Sequence, residues 1–186
     1  VGLVAVTSSH AQQLVVPDGK AYTGKKITAK TYNSGFALGH DSYNGMGTAS
    51  DGRIFYVLSS ENIDQGAKMF CLDPKTQKTT EVADLTEASG EKGTKAIPQG
   101  KSHVNFAEMN GKLYFGTHVG VYSIVEGKET MGIPPAGYKS YPGGHLLSYD
   151  LKTGKFEDFG IAPGREGAGL FDGVDAEIAA VDEFAN

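Results

Sequence analysis

Two stretches of this chain repeat one another in order, and that repeat constrains the fold more than any other feature. SDGRIFYVLSS followed by KMFCLDPKTQKTTEVADL matches MNGKLYFGTHV followed by HLLSYDLKTGKFEDFGI. Asp51-Gly52 aligns with Asn110-Gly111, and Ile54, Phe55 and Tyr56 align with Leu113, Tyr114 and Phe115. Farther on, Asp73, Lys75, Thr76 and Lys78 align with Asp150, Lys152, Thr153 and Lys155. Asp-Gly and Asn-Gly supply the positive φ angles of a two-residue hairpin turn. Asp-Leu-Lys-Thr-Gly-Lys is a second tight turn, with Gly154 at its left-handed position. Apolar and β-branched runs flank each turn, so each unit reads as four antiparallel strands. In the first unit these are expected at 46–49, 53–58, 68–72 and 79–82. In the second they are expected at 104–109, 112–117, 146–150 and 155–159.

A four-stranded antiparallel unit repeated in tandem is the blade of a β-propeller. GGHLLSYDLKTG, residues 143–154, resembles the blade-closing pattern G-G-H-L-x-x-Y-D-x-K-T-G of secreted bacterial propeller proteins, and the resemblance covers Gly39 to Gly164. It implies an all-β fold of tandem blades. Two full units fall short of a closed ring, so the propeller is expected to be incomplete. A histidine-bearing propeller is also similar in outline to the oligogalacturonate lyases, which hold a catalytic metal on histidines. That likeness is one of architecture alone.

The rest of the chain is assigned around the two blades. Residues 1–11 read as the end of a secretion signal, with Ser9 and Ala11 placed for cleavage before Gln12. The expected location is therefore periplasmic or extracellular. Residues 12–38 are expected to add strands or a partial blade, 39–85 to form blade one, and 86–101 to be a linker loop. Blade two takes 102–164, with a long insertion, and 165–186 read as a further blade's start or a short helix. The second unit's Asn110–Asp150 interval exceeds Asp51–Asp73 in the first by 18 residues. Insertions on a repeat scaffold commonly carry binding residues. This one holds Tyr138 and Tyr141 among prolines, two rings suited to stacking on a sugar.

Composition narrows the function. The net charge is −5 and no basic patch stands out, which argues against nucleic acid. No apolar run is long enough for a membrane-spanning helix. Glycine at 26, with nine tyrosines and nine phenylalanines, suits turns and strands. The single cysteine, Cys71, can form no internal disulfide and reads as a small core residue.

The chemistry rests on histidines. His103 precedes the first strand of unit two, His118 follows its second, and His145 precedes its third. Antiparallel geometry puts all three at one rim of that blade. The aligned positions in unit one are Asn44, Ser59 and Lys68, so the repeat does not require histidine there. His40 is placed for the same rim one blade over, with Asp41 and Glu166 as nearby acids. Asn105 is expected to face the same way as His103, two positions along a strand. The expected ligand set is therefore His103, Asn105, His118, His145, Tyr138 and Tyr141, binding a small molecule or glycan. Three neutral imidazoles also suit a divalent metal, with His103, His118 and His145 as ligands and His40 as second choice. That version would be a metal-dependent polysaccharide lyase or hydrolase. A third reading is a protein–protein scaffold, and open blade edges invite self-association.

Overall fold

The computed structural model describes residue 24 and residues 29–161, and it is all-β apart from one short helix. The expected signal remnant, the tail from 165 and Glu166 lie outside the described residues. The chain divides into two compact units, Val1–Tyr32 and Asn33–Asn186. In the first, the Lys30 ammonium lies 5.0 Å from the Tyr32 ring centroid. Among the described residues the strands all fall in the second.

The repeat gives two four-stranded antiparallel sheets. The first has β1 (Met46–Thr48), β2 (Ile54–Leu58), β3 (Lys68–Asp73) and β4 (Lys78–Asp84), in the order β1-β2-β3-β4. A helix, α1 (Leu85–Ala88), follows, capped by the Asp84 carboxylate on the amides of Thr86 and Glu87. Next come β5 (Gln99–Lys101), β6 (Ala107–Met109), β7 (Lys112–Gly116), β8 (His118–Val119), β9 (Tyr122–Val125) and β10 (Lys128–Met131). The chain continues through β11 (His145–Asp150) and β12 (Phe156–Ile161). The second sheet orders as β12-β11-β7-β6, while β5 pairs with β8 and β9 with β10.

The turns explain the match between sheets. Asp73 accepts from the Lys75 amide at 2.8 Å, and Asp150 accepts from those of Lys152 and Thr153 at 2.9 and 2.7 Å. Both are Asx turns, and Gln77 and Gly154 occupy the same left-handed position after them. The first turns differ. Asn110 and Gly111 both have positive φ, as a two-residue hairpin requires, and Met109 pairs directly with Lys112. At Asp51-Gly52 only Gly52 is left-handed, and the Ala49 amide donates to Arg53 O across a wider turn. The expected two-residue turn there is therefore a longer loop.

One face of each sheet enters a shared core. Phe55, Val57, Met69 and Cys71 come from the first sheet, and Leu113, Phe115, Leu147 and Tyr149 from the second. Phe55 and Tyr149 meet at 5.5 Å between centroids, and Phe106 meets Phe115 at 4.8 Å. Ties at the opposite, turn-bearing end of the sheets reinforce the packing. Glu108 accepts from the Ser50 amide and hydroxyl at 2.6 and 2.5 Å, and Arg53 donates to Leu151 O at 2.8 Å.

Three boundaries move. Of the stretch 12–38 expected to add strands, residues 29–38 carry none and most of the rest lies outside the described residues. The stretch 86–101, read as a linker, contains part of α1 and the whole of β5. The strand expected from 104 begins at Ala107, so Asn105 lies on the approach to it rather than within it.

Candidate functional site

The rim of the second sheet is built by a bulged strand pair. Gln99 pairs with Val119 and Lys101 with His118, with a register shift between them. Two glycines allow this close crossing. A Cβ on Gly100 would stand 2.4 Å from Gly120 Cα, and one on Gly120 would stand 2.2 Å from Ser60 O. The extra residue at the bulge re-aims neighbouring side chains. Gln99 accordingly reaches Thr117 and Tyr141, whereas Lys101 reaches Tyr43 and Tyr122.

Around Lys101 a compact cluster forms. His103 and His118 stack at 4.4 Å between centroids, 18° from parallel. Tyr43 covers His103 at 4.5 Å. The Lys101 ammonium lies 4.6 Å from the Tyr43 centroid and 4.7 Å from that of Tyr122. It donates to Tyr43 Oη at 3.0 Å and stands 3.9 Å from a Glu61 oxygen. The loop carrying Tyr43 can approach because Gly45 lies against Ser102, where a Cβ would come 2.5 Å from Ser102 O. His40 pairs with Asp41 at 2.6 Å on the same loop, with its side chain 60% exposed.

The two stacked histidines are neutral at ordinary pH. Burial, His118 and the Lys101 charge push His103 down to about 4. Burial also lowers His118, against the raising effect of its bond to the Val119 carbonyl. That carbonyl can only accept, so His118 Nδ1 carries the proton, at 2.8 Å, and Nε2 keeps its lone pair. The Tyr122 hydroxyl donates to the same carbonyl at 3.3 Å.

His145 sits elsewhere. Its Nδ1 is 3.0 Å from both Asp158 oxygens and its Nε2 is 2.9 Å from Glu91 Oε1. Both nitrogens donate to carboxylates, so the ring is an imidazolium. Burial opposes that charge, but the bonds to Glu91 and Asp158 outweigh it and raise the pKa. The pleat explains the separation. His145 exchanges hydrogen bonds with Thr117, and His118 is the next residue along, so it faces the opposite way. The three-histidine set is thus divided. Among the described residues no group of three or more His, Cys, Asp or Glu side chains is placed to hold a metal ion.

The other expected ligands also separate. Asn105 is exposed on the approach to β6. Tyr141 donates to Gln99 Oε1 at 2.7 Å, and Tyr138 donates to Asp64. These hydroxyls tie the insertion to β5 and to the loop after β2. Lys101, Tyr43 and Tyr122 were missed by sequence reasoning, although each lies within four residues of a histidine in GHDSYNG, GKSH or HVGVY. A cleft of about 360 Å³ lies over α1, lined by Asp64, Lys68, Glu81, Asp84, Glu87 and Lys92 among others. Lys68 and Lys92 pair with Glu81 and Glu87 at 2.7 and 2.6 Å, and no aromatic ring lines it among the described residues. The rim cluster is the stronger candidate.

No protein-family model matches the sequence, and no curated protein matches it.

Proposed function

We propose that this chain is part of an exported β-propeller, its two four-stranded sheets being neighbouring blades, and that the rim around His103 and His118 binds a small molecule or glycan. The observation that carries the reading is the concentration of polar groups at that rim. Lys101 and His118 are nearly fully buried beside His103. The Ser59 and Ser102 hydroxyls are fully buried in the neighbouring segments and make no hydrogen bond among the described residues. Native structures seldom leave such groups together unless a ligand or water uses them. Tyr122 supplies a ring of the kind that holds sugars or planar groups.

The metal-dependent lyase or hydrolase is the weaker reading, because His145 turns to Glu91 and Asp158. The scaffold reading draws on the β9–β10 hairpin, where Ile124 is 71% exposed.

The test is histidine-resolved NMR of the full chain against neutral and acidic oligosaccharides and small aromatic ligands. Saturable shifts at His103 and His118 are expected, with His145 unmoved and binding reduced at least tenfold in His118→Ala. Shifts confined to His145, or none at any ring, would overturn the assignment. Metal analysis after zinc and manganese exposure and dialysis is expected to find no near-stoichiometric ion.

A further inference from the structure

Lys101 is an ammonium out of water with few acceptors. Its side chain is 4% exposed. An ammonium has three N–H donors, and among the described residues this one makes a single hydrogen bond, to the neutral Tyr43 hydroxyl. The ring faces of Tyr43 and Tyr122 stabilise its charge but accept no conventional hydrogen bond. Glu61 is 3.9 Å away, with a side chain half exposed to solvent. The adjacent histidines are neutral and add no negative charge. A buried charge is normally paired and fully hydrogen-bonded.

The cover over this ammonium is strained. Tyr43 has φ of 37°, a left-handed conformation that is rare for a bulky side chain, and it remains 53% exposed. Such strain persists where the surroundings impose it, and it gathers at ligand clamps. Here the ring is in contact with both Lys101 and His103. An oxyanion entering between Tyr43 and Lys101 would replace a phenol acceptor with a charged one, and it would release the backbone of residue 43.

We propose that Lys101 is the seat for an oxyanion group of the ligand, a carboxylate, sulfate or phosphate, and that Tyr43 is its displaceable cover. This rests on the reading that the rim binds a ligand, and it names the group that the ligand presents. Charge-assisted bonds to an ammonium are stronger than those to a phenol. The Ser102 hydroxyl and the His118 imidazole stand beside the seat in the chain and in the strand pair.

The probes are acetate, sulfate, phosphate, and methyl glucuronoside beside methyl glucoside, titrated at constant ionic strength. The readout is the ring signals of His103, His118 and Tyr43. Saturable shifts with at least one oxyanion are expected, the responding probe distinguishing carboxylate from sulfate or phosphate. Affinity should fall at least tenfold in Lys101→Met and rise several-fold in Tyr43→Gly, since glycine takes a positive φ freely. Equal binding of glucoside and glucuronoside, or binding unchanged in Lys101→Met, would overturn the seat while leaving ligand binding at the rim standing. Weaker binding in Tyr43→Gly would overturn the cover. Should Lys101→Met not fold, the charged-against-neutral pair on the unaltered chain decides. Silence at all three rings with every probe overturns the seat, and the oligosaccharide panel then judges the rim separately.

Discussion

His103 and His145 are both sheltered from water, yet they respond to pH in opposite senses. The folded pKa of His145 lies above its ordinary value, near 6.5, because Glu91 and Asp158 hold the charged ring. Its stabilisation is fully present below that value and is lost as pH rises through the raised folded pKa. The folded pKa of His103 is about 4, below the ordinary value. The unfolded chain therefore takes up a proton that the fold refuses, and stability falls as pH drops from about 6.5 toward about 4. Urea midpoints across pH 4 to 9 should show both limbs. His145→Gln is expected to remove the loss at high pH and to cost about 1–3 kcal/mol near pH 6. His103→Gln should flatten the acid limb. A His145→Gln profile parallel to that of the unaltered protein would contradict the clamp.

At the scale of the element, the β5–β8 pair decides where the rim groups stand. It is only a few residues long, and it exists because Gly100 and Gly120 cross with no side chain between them. Gly120→Ala forces a Cβ to 2.2 Å from Ser60 O and 2.7 Å from Gly100 Cα, so β5 and β8 must part. The expected loss is about 2–3 kcal/mol, with the His103 and His118 signals displaced. Gly127→Ala is the control. It sits at φ of 76° in the β9–β10 turn with nothing within 4 Å of its added Cβ, so only conformational strain, about 1 kcal/mol, should appear. Chemical denaturation of the two variants side by side measures the difference. Equal losses would mean that the crossing is looser than its geometry indicates.

Across the whole sheet-bearing unit, the inner faces are filled and one outer face is not. Leu113, Phe115, Leu147 and Tyr149 reach the core. On the other face of that sheet, Phe159 is 50% exposed and lies 6.1 Å from the Tyr114 ring. Met109, on β6, is 41% exposed. Among the described residues β4 and β12 each pair with one strand only, leaving open edges. Concentration-dependent association of the chain is therefore expected in light scattering. Burying a phenylalanine is worth about 1.5–3 kcal/mol, so Phe159→Lys should weaken association about tenfold or more. A monomer at all concentrations, or association indifferent to Phe159→Lys, would remove this face from consideration.

The strands of the two four-stranded sheets and their order were legible in the sequence because they depend on local chemistry, whereas the short pairs β5–β8 and β9–β10 were not. Asn110-Gly111 closes one hairpin by its own backbone preference, and Asp73 and Asp150 cap the same turn in both units. The structure, not an apolar–polar alternation, shows that Phe55, Val57, Leu113 and Phe115 are the residues of β2 and β7 that enter the core. The rim histidines also followed from strand order, as far as which end of the sheet they occupy. Their directions did not. One step along the chain reverses a side chain, so Thr117 faces His145 while His118 faces Lys101. A bulge at Gly100 then parts Gln99 from Lys101. Tyr43, Glu91 and Asp158 reach these groups from distant segments, and only the packing of loops over the sheet brings them there. Sequence by itself determined the sheets and located the rim. Tertiary structure decided which rim groups face one another, because a pleat and a single extra residue turn neighbouring side chains to different partners.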